Sequence, residues 1–212
     1  MGGGSMRRLL QADLLVLTSQ RKREQSEAAL DALCRNVRTQ GRPLLFLDFD
    51  DVLCLNKPYC SHDVFQKEAE RPIDLWERLW HPPAAQTLLS IVDEYRPYIV
   101  ITTNWLRLLE RDAFIALFKR TGLSVIADVL HDVWDAPQDR GSTRCEAIEK
   151  WLREHYDGQP LVVLDDERSG TGLLGSRLDK AGCVVLCKAG VGLHTGHLPA
   201  VRSALEGKRG RV

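Results

Sequence analysis

Two textures divide the chain. From Arg7 to Gln40 leucines and alanines recur at spacings of three and four with no proline or glycine among them, which is helical periodicity, and Gly41-Arg42-Pro43 stops it. From Pro43 onward short apolar runs alternate with helical stretches, the pattern of βαβ units that build a parallel sheet. Five runs read as strands: Leu44 to Asp48 (LLFLD), Tyr98 to Thr102 (YIVIT), Leu123 to Ala127 (LSVIA), Leu161 to Asp165 (LVVLD) and Cys183 to Cys187 (CVVLC). Each is apolar enough to be buried on both faces. Helices are expected over Ala84 to Tyr95, Leu106 to Lys119, Ser142 to His155, a weaker Ser176 to Ala181, and Leu198 to Leu205. Cys54 to His81 fits neither a strand nor a simple connecting helix and is read as an insertion with a helical turn or two around Ile73 to Leu79. The expected fold is α/β, a three-layer Rossmann-like arrangement around a central parallel sheet.

Composition narrows the class. At 212 residues the chain can bury one core of medium size, read as a domain over 41–207 behind an N-terminal helical extension over 6–40. Apolar residues at 44% and charged residues at 27% fit neither a disordered nor a membrane protein. Lys plus Arg (29) cancels Asp plus Glu (29), so no whole-chain field draws in a polyanion. The basic knot Arg21-Lys22-Arg23 reads as a solvated helix face. Six cysteines occur without Cys-x-x-Cys spacing, which favours reduced thiols and a cytoplasmic setting. Met6 to Thr18 begins like a leader peptide, but Asp13 breaks its apolar run and no small-residue cleavage site follows, so secretion is not expected. No run reaches the ~20 apolar residues of a membrane span. Met1-Gly2-Gly3-Gly4-Ser5, ahead of a second methionine, reads as an expression scar over 1–5.

Ligands of open parallel sheets bind beyond the carboxyl ends of the strands, where strand order reverses. The first strand ends in Asp48-Phe49-Asp50-Asp51, the second in Thr102-Thr103-Asn104 and the fourth in Asp165-Asp166-Glu167. Taken singly, an Asp after a strand is most often a cap or turn residue. Gathered at one edge, several carboxylates repel by several kcal/mol even at an effective dielectric of about 20, so a cation must sit among them. A hard divalent ion with oxygen ligands, Mg²⁺, is the natural candidate. Zinc is disfavoured, because His194 and His197 stand apart from the acidic cluster in sequence.

The ordered set, Asp48-x-Asp50-x-Val52, then Thr102, then a basic residue ahead of a helix, then Asp165-Asp166, resembles the four motifs of the haloacid dehalogenase (HAD) superfamily of phosphohydrolases over residues 44 to about 205. LLFLDFDDVLCLN, IVITTNW, STRCEAIEKWL, LVVLDDE and the tail from Gly190 to Leu198 look like the HAD domain of bacterial Swiss Army Knife RNA repair proteins. The resemblance implies a HAD fold with a small cap insertion at 54–81 and a Mg²⁺-dependent phosphatase working through an aspartyl phosphate. It implies that Asp48 is the nucleophile, that Asp50 is the general acid and base, and that Thr102 donates to a phosphoryl oxygen, with Thr103 as the neighbour in reserve. Arg144 would supply the basic third motif, with Arg140 and Lys150 as alternatives. Asp48, Asp165, Asp166 and the backbone carbonyl of Asp50 would hold Mg²⁺, while Thr103 and Asn104 would line the substrate side.

The substrate implied is a phosphorylated nucleic acid end or a nucleotide, with no membrane partner; the sequence leaves the oligomeric state open. Asp51 stands where the family commonly has glycine. Trp76, Trp80, His81 and Trp105 flank the motifs, where an aromatic ring either stacks on a base or belongs to the core. Cys54 and Cys60 read as passive small apolar residues. A receiver-type phosphoacceptor domain uses similar residues in the wrong order. The alternative of a different class is a catalytically inactive HAD-fold module that binds a partner through its N-terminal helix.

Overall fold

The computed structural model describes residues 3–34 and 41–207; within the first helix, side chains are described at Val16 and over 18–33. The end of the expected first helix at 35–40, and Met1 and Gly2 of the opening segment, lie outside the described residues. A five-stranded sheet is built from β1 (Leu44–Leu47), β2 (Tyr98–Ile101), β3 (Leu130–Asp135), β4 (Leu161–Asp166) and β5 (Val184–Cys187) in the order β3-β2-β1-β4-β5. All its pairings are parallel. The chain runs outward from β1 to one edge, then returns to the other side of β1 for β4. Strand order therefore reverses at the carboxyl end of β1, the crevice where such sheets take ligands.

Strand alternation sorts the core into two layers. Leu45, Leu47, Ile99, Ile101, Val162 and Leu164 face one side, with α4 (Pro82–Tyr95), α5 (Arg111–Arg120) and α9 (Leu198–Leu205) packed over them through Leu88, Phe114 and Val201. Leu44, Phe46, Val100, Leu161 and Val163 face the other side, covered by α1 (Gly3–Cys34), α7 (Arg144–His155) and α8 (Arg177–Lys180). The first helix docks through Leu30 and Leu33, and Arg177 ties it down by meeting Glu27 at 3.0 Å and Glu149 at 2.8 Å. Arg21, Lys22 and Arg23 are exposed, as a solvated face requires.

The expected third strand is displaced. LSVIA lies in the short helix α6 (Ser124–Asp128), and the strand follows it as LHDVWD. The physical reason is position: β3 is an edge strand in which Leu130 alone is buried, so it needs no continuous apolar run. The helix expected from Leu106 begins at Arg111, after a 3₁₀ turn over Asn104–Arg107. The insertion after β1 contains α2 (Ser61–Phe65) and α3 (Leu75–Arg78), anchored by Val64, Leu75 and Leu79. Among the described residues no helix is long and apolar enough to cross a membrane.

Candidate active site

Register brings the site together. Leu47 pairs with Ile101 on one side and Leu164 on the other, so the next residues along the three central strands, Asp48, Thr102 and Asp165, emerge side by side. The backbone ladder continues through them: the Thr102 N–H donates to Leu47 O at 2.9 Å and the Asp48 N–H to Leu164 O at 3.0 Å. All three side chains are buried.

Arg144 reaches them from the first turn of α7. Thr143 caps that helix by accepting from the Glu146 N–H at 3.2 Å, and the Arg144 N–H donates to Thr171 Oγ1 at 2.9 Å, which fixes where the side chain starts. The guanidinium is fully buried, with Nη2 donating to Asp48 Oδ1 at 3.3 Å and Nε 3.1 Å from Asp165 Oδ2. The second contact has ion-pair distance without hydrogen-bonding direction, and Nη1 has no partner. Arg140 is exposed and Lys150 pairs with Asp139 at 2.8 Å on the surface, so of the three basic candidates Arg144 is the one at the carboxylates.

The loop after β4 supplies donors that sequence reasoning missed. Asp166 Oδ1 accepts from the N–H groups of Arg168 at 2.7 Å and Ser169 at 3.1 Å. This turn aims the Ser169 hydroxyl at Asp165 Oδ1 (3.0 Å), at Asp48 Oδ2 (3.3 Å) and at Asp166 Oδ2. Gly170 permits the turn, because a Cβ there would lie 2.6 Å from the Asp166 carbonyl oxygen. The one available signal was the Asp-x-x-Ser spacing, a common local turn.

Asp50 lies outside the trio of carboxylates that can share an ion, though its charge still acts on Asp48. Asp50 Oδ2 accepts from the Trp105 indole N–H at 2.9 Å, while Oδ1 is buried without a partner. Trp105 packs against Phe49 at 5.3 Å and Trp80 at 5.9 Å between ring centroids, so neither buried indole offers a face to a base. Trp76 is half-buried beneath the Arg120 guanidinium at 4.6 Å, and the His81 N–H ties α4 to Leu53 O at 2.7 Å. Thr103 caps the 3₁₀ turn, accepting from the Trp105 N–H at 3.5 Å, whereas Thr102 Oγ1 is buried and unpartnered. Asn104 is exposed.

Asp51 adopts φ +55°, a left-handed backbone that explains why glycine suits the position, and its Oδ1 accepts from the Gly190 N–H at 2.8 Å. The Leu193 N–H donates to Val52 O at 2.9 Å, so the tail after β5 is laced to the loop after β1. Gly192 makes this possible, since a Cβ there would meet Leu55 at 2.7 Å. His194 and His197 turn their rings on each other at 4.1 Å and accept local backbone N–H groups.

Electrostatics follow from burial. Desolvation, reinforced by the Asp165 charge and opposed by Arg144, raises the Asp48 carboxyl well above the usual range. Desolvation raises Asp165 to about 6 despite Arg144. Asp50 is raised by burial as well, with the Trp105 hydrogen bond working the other way. Among the described residues, Asp48, Asp165 and Asp166 form the group that can hold a metal, offering one oxygen each within 4.8 Å of one another. Three buried carboxylates share one guanidinium, which meets Asp48 and Asp165, and Asp165 Oδ2 lacks a hydrogen bond; an all-oxygen donor set of this charge suits a hard divalent cation.

A family model described as the HAD domain in Swiss Army Knife RNA repair proteins matches residues 44–198. Neither the curated proteins nor the solved structures give a significant match. The matched span begins with the strand that presents Asp48 and ends with the tail tied to Asp51, and on that ground the chain belongs to the HAD superfamily, in the family of HAD domains of Swiss Army Knife RNA repair proteins.

Proposed function

We propose that the protein is a Mg²⁺-dependent phosphatase that hydrolyses a phosphate monoester through a phosphoryl group carried on Asp48. The observation that carries this reading is the buried bridge in which Arg144 faces both Asp48 and Asp165 from a separate helix. Unaided, phosphate monoesters are among the slowest bonds to hydrolyse, so positioning and charge neutralisation must supply more than about 20 kcal/mol.

Each residue has a place in that work. An Asp48 oxygen attacks phosphorus while the bond to the leaving oxygen breaks; the bonding pair stays on that oxygen, which takes a proton from Asp50. Asp50 then takes a proton from water, whose oxygen attacks phosphorus and returns Asp48 to a carboxylate with release of inorganic phosphate. The unpartnered Thr102 hydroxyl donates to a phosphoryl oxygen, and Arg144 holds the Asp48 carboxylate and offsets charge beside it. Mg²⁺, held by the carboxylates of Asp48, Asp165 and Asp166 and the carbonyl of Asp50, would supply positive charge to the phosphoryl oxygens.

The family description refers to RNA repair, which supports a phosphorylated nucleic acid end or a nucleotide as the ester. The buried thiols of Cys54, Cys145 and Cys187 form no disulfide, which suits a reducing compartment, and we place the enzyme in the cytoplasm. The test is phosphate release from an aryl phosphate, with and without Mg²⁺, by wild type and Asp48→Asn. Metal-dependent release that Asp48→Asn abolishes supports the reading. Equal background release by both proteins would leave a HAD-fold binding module instead. A screen of phosphorylated RNA and DNA ends against nucleotides then identifies the ester.

A further inference from the structure

Asp50 stands two residues beyond Asp48 in the segment that follows the first strand, and its two oxygens stand in different surroundings. Oδ2 accepts the Trp105 indole N–H at 2.9 Å; Oδ1 is buried and accepts nothing. An indole nitrogen is donor only, so the oxygen it meets must act as an acceptor. The transferable proton is therefore left to Oδ1. The indole itself cannot drift: it is 1% exposed and gripped by Phe49, Phe65 and Trp80, with ring centroids 5.3, 5.5 and 5.9 Å away. Thr103, which accepts from the Trp105 N–H, fixes the backbone from which the ring departs.

We infer that Trp105 is a positioning residue that pins Asp50 through Oδ2 and so presents Oδ1 as the oxygen that exchanges protons with the leaving group. This rests on the phosphatase reading. Pinning matters in proportion to how much the leaving group needs a proton. An alkoxide must be protonated as it departs, while a nitrophenolate departs without help. The quantity kcat/KM covers only the steps up to the first irreversible one, transfer to Asp48, so the later use of Asp50 as a base does not blur it.

The experiment compares kcat/KM for an alkyl phosphate and for nitrophenyl phosphate in the full chain. Trp105→Phe keeps an aromatic ring and deletes the N–H. The expected loss is about 100-fold for the alkyl ester, the lower end of a general acid's contribution, and within a few-fold for the nitrophenyl ester. Asp50→Asn should show the same split, and adding Trp105→Phe to it should cost less than about twofold more, because the two residues act as one unit. Trp80→Phe, which trims a neighbouring indole whose Nε1 is buried without a partner, should show no split.

A second readout needs neither turnover nor a stable Trp105 variant. Of the five tryptophan indole N–H signals, Asp50→Ala should move one upfield as its acceptor is lost and leave the other four in place. Equal losses on both esters, full additivity with Asp50→Asn, or no displaced indole signal would overturn the assignment while leaving the phosphatase reading intact. Absence of phosphate release from either ester by wild type would overturn that reading, and this assignment with it.

Discussion

Arg144→Met is the perturbation that bears most directly on the buried bridge. The guanidinium has no exposure and sits 3.3 Å from Asp48 Oδ1 and 3.1 Å from Asp165 Oδ2. Methionine retains an unbranched stem in the same space but leaves two buried carboxylates facing each other. Removing one partner of a buried ion pair costs about 3–5 kcal/mol. In a domain of this size each kcal/mol moves the melting temperature by about 2–4 °C, so the variant should melt roughly 6–20 °C below wild type in chelator at neutral pH.

The pH dependence has a definite sign. Burial already raises Asp48, and raises Asp165 to about 6; losing the cation raises both further. A carboxyl whose folded value is raised favours the fold fully below its unfolded value of about 4, and that contribution is lost as pH rises through the folded value. The gap between variant and wild type should therefore narrow as pH falls from above about 6 toward about 4. Excess Mg²⁺ at neutral pH should narrow it too. Paired thermal melts at both pH values, with chelator and with Mg²⁺, provide the measurement. A loss below about 1 kcal/mol, the worth of an exposed ion pair, or a gap that widens on acidification, would refute the reasoning.

Other substitutions test individual donors. Thr102→Val removes a hydroxyl that has no partner, so stability should hold while turnover falls about 100-fold, as for loss of one transition-state donor; Thr103→Val should cost up to about 1 kcal/mol of stability and leave turnover within a few-fold. Ser169→Ala should weaken Mg²⁺ binding about tenfold in a calorimetric titration, and an unchanged affinity would remove Ser169 from the site. Asp51→Ala keeps φ +55° and loses the bond to Gly190, so its denaturant midpoint should report about 1–2 kcal/mol of destabilisation, whereas Asp51→Asn tolerates the same backbone and should cost less than half as much.

The central strands are legible in the sequence because burial on both faces demands continuous apolar runs, and β1 meets that demand with four buried residues in a row. The edge strand escapes it. β3 carries His131, Asp132 and Asp135 and buries only Leu130, so a search for apolar runs passes over it and selects LSVIA, whose Ile126 instead anchors a helical turn. The start of α7 is legible from its capping residues, Thr143 and Glu146, and the insertion's helices are less so because each is too short for periodicity to build up.

Site residues divide along the same line. Asp48, Thr102 and Asp165 need only the ends of three strands to be placed, and register then brings them level. Ser169 and Trp105 depend on a turn after β4 and on an aromatic core assembled from distant segments, neither of which leaves a periodic trace. Yet those two donors expose what the carboxylates alone leave implicit. The Ser169 hydroxyl lies against three carboxylates and has one proton to give; Arg144 aligns a single N–H on Asp48; Trp105 serves only Asp50. After every protein donor is counted, Asp165 Oδ2 still lacks a hydrogen bond, and burial has raised Asp48, Asp50 and Asp165 alike. Three buried carboxylates share one guanidinium, so negative charge outnumbers positive in the cluster, and that uncompensated charge is the physical reason to expect a cation there.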